Sequence, residues 1–126
     1  MASELRVTTI ANNAGTESVD TTYVINGSAK AWINFTMTTA TNNDSLNVGS
    51  LTDNSAGNFS INTSTAFANN SYALMSGAAH NQANNTNFGD IVVVDSASSY
   101  THIHRENSVA TDTQYGSFSS AFGDLA

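Results

Sequence analysis

The chain has 126 residues, enough for one domain with a modest core and too few for two. Ten acidic side chains against three basic ones (Arg6, Lys30, Arg105) give a net charge of −7, which excludes a nucleic-acid surface or adhesion to anionic lipid. Cysteine is absent, so no disulfide framework or thiolate metal site can form.

Asn, Ser and Thr make up about two-fifths of the residues, and charged residues only 10%. A polar, uncharged, Thr-rich chain suits β structure, whose solvent faces carry such side chains. Many of the apolar residues are alanines, so the core is thin and association between copies would compensate for it. Residues 1–6 show no apolar run of signal-peptide length, and no stretch reaches a membrane span, so neither ordinary export nor membrane insertion is expected.

In chain order, Leu5 to Ile10 alternates well enough for a short strand. Ala11 to Asp20 reads as a polar loop with Asn12, Asn13 and Gly15 as turn formers. Thr21 to Ile25 resumes a β-like run and meets the turn signal Asn26-Gly27. Such a lead-in cannot build its own core. Residues 1–25 are therefore expected to be an extended arm, and Leu5, Val7, Ile10, Tyr23 and Ile25 its assembly contacts, with the sandwich domain over 26–126.

From Ala29 to Met37 the alternation is clean, with Ala29, Ala31, Ile33, Phe35 and Met37 on a core face and Lys30, Trp32, Asn34 and Thr36 opposite. An aromatic on that second side suggests a strand covered on both faces, or a partly exposed Trp32. A polar turn is expected over Ala40 to Asp44, a weak strand over Ser45 to Leu51, and a loop over Thr52 to Gly57. Asn58 to Phe67 follows as the return strand of a β-hairpin. Ser71 to Ala78 places Tyr72 and Leu74 together, and Ala79 to Asn87 is an Asn-rich loop. Ile91 to Val94, continuously apolar and β-branched, is expected to be the most buried strand. Tyr100 to Arg105 carries Tyr100, His102 and His104 on one face, Glu106 to Thr113 is a loop or weak strand, and Gln114 to Phe118 the last strand. Short strands about ten residues apart, with no sustained helical period, predict an all-β, sandwich-like (jelly-roll-like) domain.

The run Asn26-Gly-Ser-Ala-Lys-Ala-Trp-Ile-Asn-Phe35, then Asp44-Ser-Leu-Asn-Val48, Leu51-Thr-Asp-Asn54, Gly57-Asn-Phe-Ser-Ile61 and Ser71-Tyr-Ala-Leu74 resembles a module of tail-fibre and other virion structural proteins of marine and cyanobacterial phages. The resemblance covers Thr21 to about Ala78. It departs before Tyr72, where the family often has a proline and this chain reads Ala66-Phe-Ala-Asn-Asn70. The resemblance implies a non-enzymatic virion protein, assembled in the host cytoplasm and displayed on the particle. It would be a homotrimer that contacts other virion proteins, either a fibre-like tip attaching to host surface polysaccharide or a capsid decoration bound through its arm.

Candidate chemistry is sparse. The carboxylates Asp44, Asp53, Asp90, Asp95 and Asp112 are expected mainly at turns, where Asp bonds its own backbone, so a paired-carboxylate glycosidase is not expected. Asn81, Gln82, Asn84 and Asn85 could hydrogen-bond sugar hydroxyls, with Tyr100 or Tyr115 stacking on a sugar face, or could belong to a merely solvated loop. His102 and His104 project to the same side of one strand. On a threefold axis six imidazoles would converge, a donor set for a divalent transition metal of the His-x-His kind that the resemblance implies for fibre tips. The alternative is a solvent-facing strand that happens to hold two histidines.

Overall fold

The computed structural model describes residues 5–78, 88–113 and 116–126. The all-β sandwich expected from the sequence is the fold observed. Eleven strands and one short helix are described, and most strands belong to two antiparallel sheets facing each other.

The lead-in forms its own small unit. Strands β1 (Thr9–Ala11) and β2 (Ser18–Asp20) pair as a hairpin, with Asn12 Oδ1 accepting the Thr16 N–H at 3.1 Å inside the turn. The β-like run that follows is instead a helix, α1 (Thr21–Gly27). Its β-branched residues favour strand locally, but Asp20 caps the first turn by accepting the Thr22 N–H at 2.7 Å. Asn26-Gly27 is thereby absorbed into the last helical turn, and the Ser28 N–H closes it on the Val24 carbonyl. No residue of the hairpin or helix is buried.

One sheet has the order β4–β3–β11–β7, from β3 (Ala31–Thr36), β4 (Thr41–Leu46), β7 (Ala73–Ala78) and β11 (Gly116–Phe122). The predicted alternation in β3 holds, with Ala31, Ile33, Phe35 and, just beyond the strand, Met37 all buried. The polar turn expected at Ala40–Asp44 is displaced. The turn occupies Met37–Ala40, and Asn42, Asn43 and Asp44 lie in β4 beside a bulge opposite Asn34, where Asn43 Nδ2 donates to Asn34 Oδ1 and Thr36 Oγ1.

The second sheet holds β5 (Val48–Ser55), β6 (Asn58–Thr63), β8 (Phe88–Ser96) and β9 (Ser99–Glu106), ordered β5–β6–β9–β8, with β10 (Val109–Ala110) continuing beside β9 past the end of β6. The β5–β6 hairpin was legible in the sequence, but its loop was not. The strand runs to Ser55 and only Ala56-Gly57 turns, with Gly57 at φ +64°. Between β9 and β10, Asn107 and Ser108 both take positive φ, as a two-residue I′ hairpin turn requires. Strand β8 is not the deeply buried strand expected. Ile91 and Val93 are 43% and 44% exposed, and only the alternate residues turn inward. The continuous apolar run there reflects one core-facing row and one outward-facing row.

From β4 to β5 the chain passes from one sheet to the other through a single residue, Asn47, held at φ 54°. Its amide clamps the next turn, donating to the Thr65 carbonyl at 3.0 Å while Oδ1 accepts the Thr65 N–H at 2.7 Å. Asn tolerates this backbone, whereas alanine keeps the strain and loses both bonds. Chemical denaturation should show Asn47→Ala costing about 2–3 kcal/mol and Asn47→Gly about half of that, because glycine removes the backbone strain. Equal costs would mean that the left-handed backbone contributes nothing.

The core between the sheets is made by Ile33, Phe35 and Met37 on one side and Phe59, Ile61 and Tyr100 on the other, with Phe67 stacked on Tyr72 at 4.2 Å closing one end. The Tyr72 hydroxyl lies 2.9 Å from the Ser96 carbonyl and 2.7 Å from that of Ser99, tying the residue before β7 to the β8–β9 turn, and burial pushes its pKa to about 12.

Candidate functional site

Strand β9 sends Tyr100, His102 and His104 to one face, as the period of two requires, but that face is the interior. All three side chains are fully buried. Tyr100 therefore cannot stack on an external sugar. Its hydroxyl meets Ser119 Oγ at 3.1 Å across the sheets, and burial raises its pKa. The placement of His102 and His104 at a solvent-facing or axial surface is likewise corrected. The His102 ring stands edge-on to Phe35 at 5.4 Å, inside the sandwich, so the rings have no open surface on which to meet those of other copies.

The partner that sequence reasoning missed is Asp90. It lies in β8, not at a turn, directly opposite His104 in the strand register. Its Oδ1 receives His102 Nε2 at 3.0 Å and His104 Nδ1 at 2.9 Å. An ionised carboxylate only accepts, so His102 Nε2 and His104 Nδ1 both carry protons. The Asp90 side chain is 11% exposed. Burial pushes its carboxyl pKa up, but the hydrogen bonds and charges of His102 and His104 outweigh burial and hold it below the ordinary aspartate value. His104 Nε2 lies 3.5 Å from Glu106 Oε1, too long for a good hydrogen bond, and His102 Nδ1 has no hydrogen-bond partner among the described residues. The alternation Asp90, Val92, Val94 on the inward side of β8 was the signal that could have found this carboxylate.

Chemically the trio is a clamp joining β8 to β9 through one shared acceptor, Asp90 Oδ1. Among the described residues no set of three or more His, Cys, Asp or Glu side chains is arranged to hold a metal ion. The other aspartates of the two sheets do not bond the histidines. Asp44 lies in β4, Asp53 in β5 and Asp95 in β8, where it accepts from Thr101 Oγ1 at 2.7 Å. Asp112 is in a loop as expected and accepts the Gly57 N–H at 2.5 Å.

The assembly candidates fall together. Leu5, Val7, Ile10, Val24 and Ile25, with Arg6, line one groove of about 450 Å³ between the hairpin and the helix, and Tyr23 projects from the helix with 75% exposure. This is the largest concentration of exposed apolar side chains on one stretch of the described chain. Asn81, Gln82, Asn84, Asn85 and Tyr115 lie outside the described residues. No described helix is long and apolar enough to cross a membrane. Compared with protein-family models, with curated proteins and with solved structures, the chain matches none.

Proposed function

We propose that this chain is a non-enzymatic structural component of a phage virion, a fibre-like or tip module that assembles from copies of itself and is held in the particle through residues 5–27. The observation that carries this reading is the arm: 23 residues with a defined hairpin and capped helix but no buried side chain, presenting a contiguous apolar groove. A two-stranded hairpin and a helix of seven residues are marginal in water alone, so such a unit is built to be covered by a neighbour. The sandwich behind it offers a rigid scaffold whose loops would carry attachment to host polysaccharide. The virion setting itself rests on the resemblance of Asn26–Phe35 and the following motifs.

The experiment is incorporation. Particles grown with the double variant Val24→Asp/Ile25→Asp should lose the chain, while the purified variant unfolds at the same temperature as wild type. Full incorporation of the variant would refute the reading. Immunogold labelling then separates the two placements: label on the tail supports the tip module, and label on the head supports a shell decoration held by the same arm.

A further inference from the structure

A second set of exposed apolar side chains lies on the same chain, among the described residues. It occupies the outer face of the β4–β3–β11–β7 sheet. The register sets Leu46, Trp32, Ser120 and Met75 in one row across the four strands, and Asp44, Asn34, Phe118 and Gly77 in the next. Leu46, Met75 and Phe118 are 49%, 58% and 48% exposed, and Trp32 is partly buried. The Phe118 ring lies over Gly77, where a Cβ would come within 2.6 Å of it, so the face has a bulky knob set beside a flat patch. Asp44 is the only charged residue in these four strands. Trp, Phe and Met with a single charge among them is close to the composition of an interface centre.

We infer that the occupant of this face is the arm, residues 5–27, of a second copy of the chain. This rests on the reading of the arm as the assembly segment. Two observations select it. A chain of net charge −7 meets its own copy best where like charge is sparse, and the four strands of this face hold a single acid, Asp44. Size decides the rest. Four strands about 4.8 Å apart and six residues long at about 3.3 Å each give a face of about 400 Å², roughly half of what each partner of a stable interface contributes. Two such faces pressed together fall short. If each copy gives its arm to one neighbour and receives another's on its sheet, each buries both surfaces, and the head-to-tail contact closes into a ring, for which the expected trimer suffices.

The test uses the full chain. Sedimentation should show wild type as an oligomer at micromolar concentration, with Trp32 emission shifted to the blue as its face is covered. The face variant Met75→Thr/Phe118→Thr keeps strand-forming residues and should be monomeric, as should the arm variant Val24→Asn/Ile25→Asn, each with wild-type circular dichroism. Mixed together, the two variants should regain association, because one still has its arm and the other its face, and Trp32 of the arm variant should again shift. Monomeric wild type, an arm variant that stays assembled, or a mixture that stays monomeric would each overturn the inference. If a face variant loses its circular dichroism, Leu46→Thr alone replaces it. A chain that is monomeric yet still depends on Val24 and Ile25 for incorporation refutes this contact and leaves the virion role standing, with another protein on the arm.

Discussion

Replacing Asp90 with alanine should cost about 3–5 kcal/mol of unfolding free energy, because it strips one acceptor from two fully buried imidazoles at once. His102 is walled by Phe35, and His104 Nδ1 points at the vacated carboxylate position. The conservative change Asp90→Asn separates geometry from charge. Both imidazoles bond the same oxygen, Oδ1, so an asparagine oxygen placed there can still accept both. Asp90→Asn should therefore cost only about 1–2 kcal/mol, the difference between a charge-assisted and a neutral pair of bonds. The pH dependence follows from the lowered carboxyl. The unfolded chain binds the Asp90 proton more readily than the folded one, so this group stabilises the fold above the ordinary aspartate value of 3.8, and that contribution is lost as the pH falls through its lower folded value. The acid limb of a stability-versus-pH curve should be shallower in Asp90→Asn than in wild type. An unchanged limb, or an alanine variant as stable as the asparagine one, would remove the clamp.

The clamp also shows where sequence reasoning reached and where it stopped. Period-two alternation was enough to place Ile33 and Phe35 together, and to put His102 and His104 on one side of β9. It could not say which side was inside, because histidine serves either environment and the deciding partner, Asp90, lies twelve or more residues earlier on another strand. The Asn-rich stretches misled for a related reason. Asn42-Asn43-Asp44 carries turn composition, yet cross-strand bonds from Asn43 to Asn34 and Thr36 give those amides partners within a bulged strand. Thr52 to Ser55 was read as loop on the same grounds and is strand, with Asn54 bonded to Asn58 and Ser60 on β6. In a chain with few charges, amide side chains supply the outer-face pairing that Lys and Glu supply elsewhere. The capped helix α1 escaped because Asp20, a single side chain, outweighs five residues of β propensity.

Gly57→Ala is the second substitution with a large expected effect, about 3–5 kcal/mol, and its reasons are separable. At φ +64° an alanine carries the left-handed penalty, about 1–2 kcal/mol. The added Cβ would also fall within 2.8 Å of three backbone atoms, Thr111 N, Thr111 O and the His104 carbonyl oxygen. Those atoms cannot yield by rotating a side chain. Relief requires shifting the segment after β10 away from the β5–β6 turn, which strains the bond from Thr111 N–H to His104 O at 3.2 Å and that from His104 N–H to Gly57 O at 2.8 Å. It also pulls the Gly57 N–H from Asp112 Oδ1. Asparagine tolerates the left-handed region but carries the same Cβ, so Gly57→Asn should recover no more than the backbone penalty and remain at least about 2 kcal/mol less stable than wild type. Denaturant unfolding of the two variants decides the matter. An asparagine variant as stable as wild type would show that the turn needed only its backbone angle. A lasting deficit would show that the turn is packed against the strand end that carries His104, so that the β5–β6 turn and the Asp90 clamp hold the same end of the sheet.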